Sequence, residues 1–199
     1  ARRGLVYALI ISTTLNFLIT PAFSLLPLYV NSEFGGNAQM LALVQMLLGV
    51  GTIVGGVGLA AWGGFRNKVV TTLVGIAMLG VGVGTIGLAP ANAFWVVVAG
   101  GFVVGVSIAF SNGPLFALLQ TVVAPEMQAR VFSLTMTAAL AVTPLSLLVA
   151  GPLADAFGIR IWYLVAATFC IVVAFVGYLP ADMREMEQRL APAPVAASE

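Results

Sequence analysis

Two carboxamides, Asn16 and Asn112, stand in stretches of chain that contain no Asp, Glu, Lys or Arg. An amide carries donors and acceptors that one carbonyl of its own helix cannot satisfy, so each needs water, a ligand or a neighbouring helix. Asn112 is followed by Gly113 and Pro114. Pro114 removes a helical hydrogen bond, Gly113 loosens the turn before it, and Pro21 and Pro144 offer comparable breaks. These four are the expected hinge or kink positions. Other uncharged polar residues share helix faces: Thr13, Asn16, Thr20 and Ser24; Gln45 and Thr52; Ser107 and Ser111; Thr135, Thr143 and Ser146. A lipid-facing side stays apolar, so these faces read as lining a cavity. The candidate pathway is Asn16, Thr20, Gln45, Ser111, Asn112 and Thr143. For each Ser or Thr the competing role is a bond back to its own helix; for the two amides it is helix–helix bonding.

The chemistry excluded is as informative. No acidic residue lies inside the charge-free stretches, the chain has no histidine, and its one cysteine, Cys170, has no intrachain partner. Neither a metal set nor a catalytic dyad is visible at membrane depth, so no enzyme, cofactor or nucleic-acid role is expected. The absence of a buried Arg or Lys argues against recognition of an anion. An apolar wall dotted with amides and hydroxyls suits a small amphiphilic molecule. Gly82-Val83-Gly84-Thr85-Ile86-Gly87 matches the dinucleotide fingerprint but lies in an apolar stretch with no ribose partner. It reads as helix packing, as do Gly51-x-x-x-Gly55, Gly80-x-x-x-Gly84 and Gly101-x-x-x-Gly105.

The elements that must hold these residues are set by five charge-free runs, 4–32, 34–65, 69–125, 131–154 and 161–181. About 20 helical residues cross a hydrocarbon core of roughly 30 Å. The third run, interrupted at Pro90-Ala91-Asn92, is long enough for two crossings. The expectation is an all-α membrane protein with six spans near 5–30, 38–62, 69–89, 93–120, 131–154 and 161–179, forming one bundle over 1–180. A polar, then Ala/Pro-rich tail, 181–199, follows and is expected to be cytoplasmic and partly disordered. With 61% hydrophobic and 8% charged residues and a mean hydropathy of +1.10, the chain lacks the polar surface of a soluble protein. The first run is too long for a signal peptide. Alternating loops put Arg2, Arg3, Arg66, Lys68, Arg130, Arg184 and Arg189 on one side and Arg160 alone on the other, seven of eight basic residues. The positive-inside rule makes the first side cytoplasmic, with both termini inside and the protein a multi-pass protein of the plasma membrane.

Two patterns recur at nearly one offset. Leu59-Ala60-x-x-x-Gly64-x-Arg66 returns as Leu153-Ala154-x-x-x-Gly158-x-Arg160, and Pro21-x-Phe23-x-Leu25-Leu26 as Pro114-x-Phe116-x-Leu118-Leu119. A repeated unit of three spans is an odd number, so its second copy enters from the opposite side, giving an inverted 3+3 repeat.

The stretches Ala61 to Lys68, Val123 to Ser133, Pro144-Leu145 and Gly151 to Asp155 carry a resemblance to the major facilitator superfamily, in its drug and macrolide efflux branch, which is also similar to siderophore exporters. The resemblance runs to about Pro180. It implies that these spans are the second half of a twelve-helix transporter whose N-terminal six-helix half, or a second copy of this chain, completes the pathway. It further implies proton-coupled efflux by alternating access, the titrating carboxylate lying in the other half. Gly58 to Lys68 resembles the superfamily's cytoplasmic loop motif but has Ala61 and Trp62 where an acidic–basic pair would stand. Gly64, Arg66 and Lys68, with Glu126 and Arg130 ahead of the fifth span, are the loop or gate candidates, anchoring to anionic lipid being the alternative role for Arg66 and Lys68. A nontransporting membrane scaffold with the same fold is the alternative function.

Overall fold

The computed structural model describes residues 14–65, 67–122 and 125–178, helical between short turns and without a strand among them. In chain order the helices are residues 14–24 (α1), Leu26–Phe34 (α2), Ala38–Trp62 (α3), Lys68–Gly87 (α4), Phe94–Val122 (α5), Pro125–Phe157 (α6) and Ile159–Tyr178 (α7). Arg2, Arg3, Arg66, Arg184, Arg189 and the expected tail lie outside the described residues.

Local chemistry sets most boundaries. The Asn37 side chain accepts from the amides of Gln39 and Met40, both at 3.1 Å, and so starts α3. Asn67 does the same for α4 through Val69 and Val70. Each cap satisfies orphan donors of a first turn. Gly63, at φ 80°, ends α3, and Gly158, at φ 88°, forms the single-residue turn between α6 and α7. Both adopt the left-handed conformation that glycine tolerates at a helix end.

Two expected boundaries shift. The fifth span was expected to begin at 131, leaving Glu126 in a loop, whereas α6 already starts at Pro125. Proline suits a first helical position, where its missing N–H costs nothing. The first span breaks at Leu25, with Pro27 opening α2, and Pro21 sits buried within α1. Pro114 and Pro144 lie inside α5 and α6, which remain helical on both sides of them.

α5 packs between α3 and α4, and α4 packs in turn on α7. Glycines set these approaches. A Cβ added at Gly55 would lie 2.7 Å from the Val106 carbonyl oxygen, and one at Gly80 would lie 3.0 Å from that of Ala167. Within the 82–87 motif, Gly82 faces Val104 and Gly100 of α5 while Gly84 and Gly87 face Ala167 and Tyr163 of α7. The fingerprint is a packing surface on two sides of one helix. α7 reaches the first span through Trp162, whose Nε1 donates to the Leu18 carbonyl at 3.0 Å, and Tyr163, whose hydroxyl donates to that of Ala22 at 2.6 Å.

Among the described residues four helical segments are long and apolar enough to cross a membrane: Ala38–Trp62, Lys68–Gly87, Phe94–Pro114 and Ile159–Gly177. The first expected span begins outside the described residues, and in α6 the apolar part found is the shorter Thr143–Phe157. Large apolar side chains face outward, among them Ile53 and Val57 on α3, Leu148 on α6 and Phe175 on α7. Such a surface needs lipid or protein cover. Trp62 and Trp95, both exposed, lie at opposite ends of the α3–α5 stack, the interfacial depth that Trp favours.

Candidate functional site

The predicted pathway residues do not converge on an enclosed pocket. Asn16, Gln45 and Asn112 are exposed, and Thr20, Ser111 and Thr143 are half-buried. The Ser111 hydroxyl oxygen is itself buried with no hydrogen-bond partner among the described residues, pressed against α4 where Gly75 leaves room for it. An apolar crevice between Ala22, Leu26, Val44, Val83, Gly101 and Tyr163 has a volume of about 10 Å³. That is space for one water, against a few hundred Å³ for a small-molecule site. None of the six candidates lines it.

Most hydroxyls on these faces are held by their own helices. Thr52, Thr72, Thr85 and Thr168 each bond the carbonyl four residues back, at 2.8–3.1 Å, and Ser146 bonds that of Thr143 at 2.8 Å. Ser107 bonds the carbonyls of Val103 and Val104. These hydroxyls are satisfied by their own helices, so their alignment carries little information about a ligand.

At the α3–α4 turn, Gly64 has φ 73° and lies against the Thr71 side chain, whose Oγ1 accepts from the Phe65 amide at 3.0 Å. Thr71 is buried, so the turn folds back onto α4. Lys68 is the first residue of α4, and Arg66 lies outside the described residues. Glu126 and Arg130 stand four apart in the first turns of α6, with Arg130 exposed.

Sequence reasoning missed a polar and aromatic cluster at the opposite end. Arg160 Nε lies 2.8 Å from Glu33 Oε2, an ion pair without the alignment of a hydrogen bond, its side chains 36% and 30% exposed. Such a pair contributes about 0–1 kcal/mol. Beside it, the buried Tyr29 donates from its hydroxyl to the Ile86 carbonyl at 2.7 Å. Its ring centroid is 4.9 Å from that of Tyr163 and 5.8 Å from that of Phe34. The signal was present: Glu33 and Arg160 are opposite charges that the span order puts on one side of the membrane.

With this geometry in view, the similarities are telling. The chain is 28% identical over 185 residues to macrolide efflux protein A of Streptococcus pyogenes, covering 93% of this chain and 46% of that protein. It is 29% identical over 133 residues to macrolide efflux protein A of Enterococcus faecalis, covering 67% and 41%. Multidrug efflux pump Tap of Mycolicibacterium fortuitum matches at 28% over 150 residues, covering 74% and 36%. The chain is a relative of drug and macrolide efflux proteins. These relatives support the major facilitator resemblance, although no protein-family model matches the chain. As an efflux-protein relative it spans about half the length, or less, of the curated proteins it matches.

Proposed function

We propose that this chain is one six-helix half of a major-facilitator-type secondary transporter that exports small amphiphilic molecules, macrolides among them, across the plasma membrane. The observation that carries the proposal is similarity to macrolide efflux protein A over 93% of the chain, in a structure whose helices are apolar on their outer faces. The inverted 3+3 repeat is supported by packing: α4 lies on α5 as α7 lies on the first span, and α4 and α7 meet between them. Gly64 and Gly158, equivalent at the repeat offset, share the left-handed backbone. In this reading α1 with α2, α3, α4, α5, α6 and α7 are the six spans, with both chain ends inside.

Cargo would pass between this half and its partner rather than through the bundle, whose own crevice holds about 10 Å³. Asn16, Gln45 and Asn112 are exposed polar groups on apolar helices and would meet the cargo as donors and acceptors. Proton coupling would rest on a carboxylate of the other half, because the charge-free runs of this one hold none. Export would then proceed by rocking of two bundles about the shared pathway.

The test is accumulation of a labelled macrolide in a bacterium stripped of its own efflux pumps and expressing the full-length protein. Accumulation should fall several-fold relative to empty cells and recover when a protonophore collapses the gradient. Unchanged accumulation of macrolides and of other amphiphilic drugs, with the protein present in the membrane, would overturn the proposal. A fall that a protonophore leaves intact would remove the proton coupling alone.

A further inference from the structure

We propose that the first turns of α7, Arg160 to Tyr163, splint the broken first span, so that α1 and α2 behave as one bent rod and not as a hinge. The break is intrinsically weak. Pro21 and Pro27 have no amide hydrogen, so the carbonyls of Phe17 and Phe23 lack the donors that a continuous helix would supply. Leu25 leaves the regular helix between them, and only its own bonds bridge the gap, its amide donating to the Pro21 carbonyl at 2.7 Å and its carbonyl accepting from the Tyr29 amide at 2.8 Å. Kinks of this kind bend readily unless neighbouring groups hold them.

α7 grips both sides of the break. On the α1 side, Trp162 Nε1 and the Tyr163 hydroxyl donate to the carbonyls of Leu18 and Ala22, at 3.0 and 2.6 Å. On the α2 side, Arg160 pairs with Glu33, and the Tyr163 ring packs on Tyr29 at 4.9 Å between centroids. Tyr163 therefore spans the break by itself, hydroxyl before it and ring after it. Tyr29 in turn ties α2 to α4 through the Ile86 carbonyl. Both tyrosines are fully buried, which leaves neither ring space to swing while α2 stays packed. Gly158, at φ 88°, reverses the chain two residues before Arg160 and so sets the start of the splint. In consequence α2 moves only together with α7, and any opening at this end involves the bundle as a body.

The splint is tested by electron spin resonance on the full-length protein in lipid, with Cys170→Ala and labels at the exposed positions Asn31 on α2 and Thr168 on α7. One narrow distance is expected, unchanged by addition of a macrolide or by a pH gradient. In Arg160→Gln/Tyr163→Phe, which removes the ion pair and the hydroxyl bond while retaining the ring, the distribution should broaden at least two-fold. Two interconverting distances in the parent protein would overturn the splint, showing that the break already hinges. A distribution as narrow in the variant as in the parent would overturn it too, because residues that only add stability leave the folded geometry unchanged. If the double variant does not insert, the half-buried Arg160→Gln alone is measured in the same way, with partial broadening expected and none counting against the splint. None of these outcomes depends on whether the cargo is a macrolide.

Discussion

Polar side chains on these apolar helices differ in how far they are exposed. The hydroxyls of Thr52, Ser107 and Ser146 reach carbonyls of their own helices and are satisfied there. Asn16, Gln45 and Asn112 project from exposed positions. Asn112→Leu and Asn16→Leu are expected to leave insertion and thermal stability intact, since Leu is favoured at an apolar surface. If the amides bind cargo, their loss should weaken substrate affinity about ten-fold, the loss of one buried polar contact costing about 1–3 kcal/mol. Thr52→Val and Ser146→Ala serve as controls and should change affinity less than two-fold. Measuring substrate affinity and melting temperature on each variant checks this; unchanged affinity in Asn112→Leu with a lowered melting temperature would make that amide a helix-bonding group.

At the scale of helices, what decides packing is which glycines are covered. Gly55 and Gly56 are neighbours in α3, yet a Cβ at Gly55 would press on the Val106 backbone at 2.7–2.8 Å while one at Gly56 meets nothing within 4 Å. Gly55→Ala should therefore push α3 from α5 and cost about 1–3 kcal/mol, as overpacking does. Gly56→Ala should be neutral or slightly stabilising through helix propensity. Thermal unfolding in detergent compares them directly, and equal losses at both positions would contradict the α3–α5 contact. This asymmetry also shows what the sequence could convey. The spans drawn inside the charge-free runs, 38–62 and 69–89, lie within about two residues of the helices α3 and α4, because a bilayer imposes length and apolarity together. The Gly-x-x-x-Gly spacings told which residues were small but not which neighbour each would meet. Pro21 and Pro27 are equivalent as helix breakers by type, and the break falls at Leu25, with α2 beginning anew at Leu26 and Pro27 in its first turn. The amides were legible as unusual; their exposure was not, since spacing orders residues around a helix without saying which side is covered.

For the whole molecule, the strongest constraint on orientation comes from joining charge to contact. α4 has 20 residues, a rise of about 30 Å, and carries Lys68 at its start with Leu88 just past its end. If α4 crosses the bilayer, the Lys68 turn and the Pro90–Asn92 turn face opposite sides. The Glu33–Arg160 contact requires α2's end and α7's start to share a side, and Arg160 follows Asp155 by five residues across the Gly158 turn. Tyr29 bonds the last turn of α4 at Ile86, which puts Glu33 on the Asn92 side. Asn92, Asp155 and Arg160 thus form one set, and Lys68 with Arg130 the other. The expected sign of the sets comes from the basic residues, seven of eight of which the six-span expectation puts opposite Arg160. Single cysteines at these positions in a Cys170→Ala background should therefore react with an impermeant thiol reagent from outside at 92 and 155, and at 68 and 130 only after the membrane is opened. Labelling of positions 68 and 92 from the same side would contradict a crossing by α4. Labelling of 68 and 130 from outside, with 92 and 155 protected, would keep the helices and reverse the protein in the membrane, against the positive-inside rule. The contact-based and charge-based arguments are independent, so agreement of all four positions with the first pattern would fix the crossing of α4 and the orientation together.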